Sequence, residues 1–160
     1  ELTGPEGIRQ VPIQEFYTGP GKTVRRHEEV MTAIRIRRRD YEGYTGCYIK
    51  YGKRNAMEIA TLGCACLVKL SWDKKVVEDM RIAYGVAAPT PVRCPETEKS
   101  VSGQAVSNAL LLQTGKGVLN EVNPRTSWRA SKEFRLQLVE ELAKRAMAQA
   151  IRNGGGEVDA

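Results

Sequence analysis

The feature that most constrains this fold lies between Gly46 and Trp72, in the run GCYIKYGKRNAMEIATLGCACLVKLSW. From Ile59 onward the apolar residues alternate. Leu62, Cys64, Cys66, Val68 and Leu70 fall on one face, and Gly63, Ala65, Leu67 and Lys69 on the other. A period of two sends successive side chains to opposite faces of a strand, so this run predicts a strand with one buried face. Cys47 to Tyr51 is a second apolar and aromatic run, and Gly52-Lys53-Arg54 interrupts the pattern between the two. The spacing therefore predicts two strands joined by a loop, with Lys50, Lys53 and Arg54 at the junction. A cationic loop pinned between strands presents charge to an anionic or polarised ligand. A solvated hairpin loop uses the same residues, and composition alone leaves both readings open.

The remaining chain extends this sheet. Asp73-Lys74-Lys75 reads as a hairpin turn, and Val76 to Val86 alternates Met80, Ile82, Tyr84 and Val86 against Arg81, Ala83 and Gly85. Pro89 and Pro91 remove ladder donors and restrict the residues before them, which predicts that the sheet ends at Ala87 to Pro91. Upstream, residues 8–17 suit a short edge strand containing Pro12, and Thr18 to Thr23 a turn. Glu29 to Arg37 reads as a strand ending in an arginine cluster, and residues 38–45 as a polar connector. Downstream, residues 95–103 predict a short helix and turn. Ser107 to Val122 predicts a helix carrying Leu110, Leu111, Val118, Leu119 and Val122, weakened by Gly115 and Gly117 and closed by Asn123-Pro124. The last helix has Ser131 as its N-cap, Phe134, Leu138, Leu142 and Ala146 at every fourth residue, and Gly154 to Gly156 as its stop. Its stripe is expected to bury Cys64 and Cys66 beneath Phe134, Leu138 and Leu142. Strands followed by helices predict an α+β fold, an antiparallel meander sheet of three to four strands with helices packed on one face.

Several functional classes fall away on chemistry. The net charge is +6, but basic residues outnumber acidic ones evenly, eight to six in residues 1–40, nine to seven in 41–100 and eight to six in 101–160. A nucleic-acid binder concentrates its charge on an arm, stripe or helix, so no nucleic-acid partner is expected. Thr18-Gly19-Pro20-Gly21-Lys22-Thr23 is no phosphate-binding loop, because that motif needs glycine where Phe16 stands. Cys47, Cys64, Cys66 and Cys94 form neither CxxC pairs nor a secreted disulfide framework, and His27 is remote from them in sequence. No metal site is expected, and the thiols read as reduced in a cytoplasmic protein without a membrane segment. No triad or paired carboxylates mark a catalytic residue. The start at Glu1, inside a turn-like Thr3-Gly4-Pro5-Glu6-Gly7, reads as a piece of a longer polypeptide.

Two longer runs carry a family resemblance. Tyr48 to Ala60, YIKYGKRNAMEIA, and Ile82 to Arg93, IAYGVAAPTPVR, resemble the C-terminal domain of the FAD-binding subunits of molybdenum hydroxylases, the CO dehydrogenase flavoprotein family. Phe16 to Lys22 and Ser127 to Leu136 are similar most of all to the bacterial xanthine dehydrogenase branch. The resemblance implies that residues 1–38 are the tail of an FAD-binding domain of the PCMH type and that 45–153 are the CO dehydrogenase flavoprotein C-terminal domain. It implies FAD contacts at Met31 and Lys50, and a loop near the flavin at Tyr51 to Ala60. It further implies electron relay from iron-sulfur clusters through FAD to NAD, with molybdopterin and 2Fe-2S clusters on partner subunits. The expected partners are a molybdenum-binding subunit, an iron-sulfur subunit and the upstream FAD-binding region of the same subunit. The glycine-rich loops that wrap the cofactor's diphosphate in the family are absent from these residues, so the 160-residue chain alone is expected to bind FAD weakly or not at all. Carbon monoxide, nicotinate and aldehyde-oxidising relatives share the same domain, and a docking domain without its own cofactor contact is the reading outside the enzyme class.

Overall fold

Glu29 is a carboxylate only 6% exposed, and the first 42 residues are organised around it. In this computed structural model, which describes residues 1–54 and 56–158, Glu1–Glu42 and Gly43–Ala160 form two separate units. Strands β1 (Leu2–Gly4), β2 (Gly7–Arg9) and β5 (Val30–Met31) make a three-stranded antiparallel sheet in the order β2-β1-β5. Between them lie α1 (Ile13–Phe16) and the small hairpin β3 (Tyr17–Gly19) and β4 (Lys22–Thr23). The Arg9 guanidinium donates to both oxygens of Glu29 at 2.6 and 2.9 Å, and the Arg26 amide donates to the same carboxylate at 2.6 Å. Those charge-assisted bonds favour the ionised form and hold the carboxyl down to about 2.

The edge strand expected over residues 8–17 is split. Pro12, with φ −57° and no amide donor, precedes a helical turn and not a ladder, and the Glu15 amide returns to the Pro12 carbonyl at 3.0 Å. The hairpin turn at Pro20-Gly21 is as expected, with Gly21 at φ +68°. The strand expected over Glu29 to Arg37 contracts to Val30–Met31, because its partner β1 is short; Ile34 and Ile36 lie exposed. Arg35, Arg37 and Arg38 are paired with Glu1, Asp40 and Glu42, so most of the arginine cluster is neutralised locally.

In the second unit, the alternation seen in the sequence becomes three long antiparallel strands, β6 (Thr45–Tyr51), β7 (Leu62–Leu70) and β8 (Val76–Gly85). Asp73 fixes the turn between β7 and β8 by accepting from the Ser71 hydroxyl at 2.7 Å and the Lys75 amide at 3.2 Å. Where the register shifts beyond Lys69↔Asp79, a bulge lets Val77 and Met80 both face inward despite their odd spacing. The sheet does not end at the prolines. After them β9 (Val92–Arg93) pairs back onto β8, α2 (Pro95–Val101) follows, and β10 (Gln104–Ala105) pairs at the start of β8, giving five strands. Val86, expected on the core face, turns outward with φ +70°, and Ala87 takes the buried position instead.

Helix α4 (Lys132–Asn153) packs on β6 and β7 and α2 on β8, while α3 (Asn108–Gly117) packs on α4 and α2; the N-caps of α3 and α4, Ser107 and Ser131, each accept from the amide three residues on. Gly115 is a packing requirement and not a weakness: a Cβ there would lie 3.0 Å from the Glu140 carbonyl oxygen, so its absence lets α3 approach α4. Leu138, Leu142 and Ala146 join Cys64 and Cys66 in one core, as the sequence predicts. Phe134, expected beside them, is 40% exposed at the helix start. Burial pushes the Cys64 thiol up to about 12 and that of Cys66 well above the ordinary thiol range. Cys64 stands opposite Tyr84 in the β7–β8 ladder, and that side chain offsets part of the effect of burial, whereas among the described residues Cys66 reaches only the Leu67 carbonyl, at 4.0 Å. Cys66→Ser should therefore destabilise the unit by about 1–3 kcal/mol, the cost of burying an unpaired hydroxyl, and Cys64→Ser by less. Urea unfolding of the two variants checks this, and the opposite ranking would contradict it.

Candidate functional site

The site grows from the end of β6. Cys47 and Ile49 point to the core, so period two sends Tyr48 and Lys50 to the outer face. Lys50 stands opposite Gly63 on β7, and a Cβ on Gly63 would lie 2.9 Å from the Tyr48 hydroxyl; glycine makes room for that ring. The Thr61 amide donates to the Tyr51 carbonyl at 2.8 Å and closes the base of the loop that joins the two strands. Within the loop Glu58 is the organiser. Its carbonyl accepts from the Lys50 ammonium at 2.6 Å, and its carboxylate from the Arg54 amide at 2.5 Å. A Cβ on Gly52 would meet that carboxylate at 2.8 Å, so glycine leaves room for the Glu58–Arg54 bond. Met57, at φ +52°, stands fully out from the loop, and Asn55 lies outside the described residues.

This loop meets the beginning of α4. Tyr51 and Phe134 pack edge to face with ring centroids 6.0 Å apart, and the Lys53 ammonium lies 5.9 Å from the centre of the Trp128 ring. The Arg129 guanidinium is 4.5 Å from the same ring. Trp128 sits at the tip of a turn closed by reciprocal backbone bonds between Ser127 and Ala130 at 3.0 and 3.2 Å. Arg135, buried to 1% exposure, supports the turn from beneath, donating to the Arg125 carbonyl and, at 2.8 Å, to the Ser127 hydroxyl. Burial, and then the neighbouring charges of Arg125 and Arg129, pull its pKa below the usual arginine value.

Met31, the other expected site residue, belongs to the first unit. It stands opposite Leu2 in the β1–β5 ladder and is 51% exposed. With Phe16, Thr23, Arg25, Glu29 and Val30 it lines an open cleft of about 390 Å³ whose walls are largely apolar. Lys50 and Met31 thus lie in different units, each placed on an exposed rim of its own. Sequence reasoning found the cationic loop but missed its neighbours across the fold, Phe134, Trp128 and Arg129. The one signal for them was a tryptophan and three cations in residues 122–132 with no acidic residue among them. Among the described residues no three His, Cys, Asp or Glu side chains converge as metal ligands, and no helix is long and apolar enough to cross a membrane.

The support that Arg135 gives is testable. Arg135→Met keeps much of the apolar stem and removes both donors, so amide exchange at Ser127 and Ala130 should accelerate at least about tenfold, the loss of one hydrogen bond's stabilisation, while Cys64 and Cys66 amides keep their protection. Unchanged protection at the turn would contradict it.

Comparison with known proteins places this geometry in context. The family described as the CO dehydrogenase flavoprotein C-terminal domain matches residues 47–150, which include Lys50, the loop and most of α4. The chain is 39% identical over 158 residues to the xanthine dehydrogenase FAD-binding subunit of Escherichia coli O157:H7, covering 99% of this chain and 53% of that one. It is 30% identical to the glyceraldehyde dehydrogenase medium chain of Sulfolobus acidocaldarius over 92% of this chain and 51% of that one. A solved carbon monoxide dehydrogenase from Hydrogenophaga pseudoflava superposes with a TM-score of 0.81 at 25% identity, covering 95% of this chain and 52% of that one. The chain thus spans about half the length of the curated relatives it matches.

Proposed function

Because the chain belongs to the CO dehydrogenase flavoprotein C-terminal domain family, we propose that it is part of the FAD-binding subunit of a molybdenum hydroxylase of the xanthine dehydrogenase type. In this reading FAD, held mainly by an upstream region of the subunit, carries electrons from iron-sulfur clusters to NAD, while molybdopterin and the 2Fe-2S clusters sit on partner subunits. The 39% identity to a xanthine dehydrogenase subunit, against 28–30% to the carbon monoxide and glyceraldehyde relatives, favours xanthine.

The residues present fit a flavin contact. Lys50 carries the reading: among the described residues its ammonium is in no ion pair, and its one partner is the neutral Glu58 carbonyl at 2.6 Å. An ammonium has three donors, so two remain for an anionic or polarised neighbour while its charge is uncompensated. A fixed cation of this kind stabilises negative charge on the group beside it. In the other unit, Met31, Phe16 and Val30 offer an apolar wall against which a planar ring system packs. Glu58, whose carbonyl accepts from Lys50 on β6, and Gly52, which leaves room for the Glu58 carboxylate, are positioning residues.

Lys50→Met keeps most of the side chain's volume and deletes the charge. Made in the full-length subunit within its assembled enzyme, it should weaken FAD retention by about 5- to 150-fold, the equivalent of about 1–3 kcal/mol for a hydrogen bond to a charged group. NAD reduction should slow, and substrate oxidation with an artificial acceptor taking electrons upstream should persist. Unchanged FAD affinity and NAD reduction rate would contradict the role given to Lys50.

A further inference from the structure

The sequence spreads its positive charge evenly; the fold gathers part of it at one place. In the second unit Lys69, Arg81, Arg93, Lys116, Lys144 and Arg145 each have a carboxylate partner. Among the described residues Lys74, Lys75, Lys99 and Arg152 have no ion pair and lie apart, at the β7–β8 turn, on α2 and at the end of α4; Lys53, Arg125, Arg129 and Lys132 also have none, and these four meet where the β6–β7 loop touches the start of α4. The N-terminus of the 22-residue α4 turns the positive end of its dipole to the same place, where Glu133 in the first turn is the one acidic side chain and offsets part of it. At the centre stands Trp128, 81% exposed, on a turn whose backbone is fixed by the Ser127–Ala130 bonds and by Arg135 beneath. A large aromatic side chain held on a rigid turn has little freedom to lose on association and much apolar area to bury, which are the properties of an interface anchor.

We propose that the Trp128 turn and its ring of uncompensated cations form a docking patch for an acidic face of a partner subunit. The proposal rests on the reading above, in which the chain works within a multi-subunit enzyme. Charge selects this occupant. A second copy of the chain would set the same cations against one another, and opposed like charges across an interface cost several kcal/mol. A small anionic ligand needs a concave site that removes it from water, whereas Trp128 stands out from the surface at the tip of its turn. An acidic protein face meets both requirements, covering the indole and giving each cation a partner.

The test uses the full-length subunit and its purified partner subunits, with association measured by sedimentation at low and moderate salt. Association of the unsubstituted protein should weaken at least tenfold between about 50 and 300 mM salt, because exposed charge pairs are screened over that range. Arg125→Glu with Arg129→Glu should weaken it at least a hundredfold at low salt, and Trp128→Ala at least tenfold. FAD retention and thermal midpoint should remain those of the unsubstituted subunit. If the complex forms and the substituted proteins bind as tightly, the docking patch fails while the functional reading stands. A concentration-dependent dimer of the subunit that Trp128→Ala abolishes would assign the patch to a second copy and overturn the proposal. If the unsubstituted subunit forms no complex at all, both readings fall together.

Discussion

The seating of the last helix along β6 and β7 is the contact on which the rest of the second unit depends. Small side chains on both sides, Ala143, Ala146 and Ala150 on α4 and Cys64 and Cys66 on β7, lie in one fully buried core. The helix is also pinned by polar bonds. At its C-terminal end the Thr45 hydroxyl donates to the Ala150 carbonyl and the Asn153 amide to the Gly46 carbonyl, both at 2.8 Å; midway, the Tyr84 hydroxyl donates to the Val139 carbonyl at 2.9 Å. From there geometry sets the other end. The six steps of strand from Thr45 to Tyr51 cover about 20 Å, and the sixteen steps of helix from Ala150 back to Phe134 cover about 24 Å, at roughly 3.3 and 1.5 Å per step. The two lengths match, so Tyr51 arrives beside Phe134, and the loop that follows arrives beside the Trp128 turn.

That arrangement explains why the loop keeps its charge. Elsewhere in the unit, Lys69 on the sheet and Lys144 and Arg145 on α4 find carboxylates on the next strand or one helical turn away. The β6–β7 loop brings a single acidic residue, Glu58, which is engaged with the Arg54 amide, and the facing turn brings only cations. Lys50 is consequently oriented by a neutral carbonyl and not by a counter-ion. Salt bridges would give a similarly ordered lysine with its charge cancelled, unable to stabilise charge on a neighbour.

The parts of this structure legible in the sequence were those written as period. The buried face of β7, the turn at Asp73, the cap at Ser131 and the stripe of α4 followed from alternation, turn chemistry and helical spacing. What escaped were features that depend on a partner distant along the chain. The β8 bulge that turns Val77 inward, and the return of β9 to the sheet after two prolines, are set by pairing and not by local propensity. The same holds for the strand at Glu29 to Arg37, whose alternation was real but whose partner β1 is only three residues long. For the site, Gly52-Lys53-Arg54 announced a cationic loop, but no local signal joined it to Trp128 some 75 residues later, because that meeting is made by the lengths of β6 and α4. Even Gly115, which reads locally as a helix breaker, owes its identity to the backbone of α4.

The central claim is that the Lys50 ammonium, held ready by the loop, contacts the flavin cofactor. A crystal structure of the full-length subunit with FAD bound measures it most directly, through the distance from Lys50 Nζ to the nearest oxygen or nitrogen of the cofactor. The account predicts a separation of about 3 Å, that of a charge-assisted hydrogen bond. A separation beyond about 6 Å, with the ammonium still turned to the Glu58 carbonyl, would contradict it.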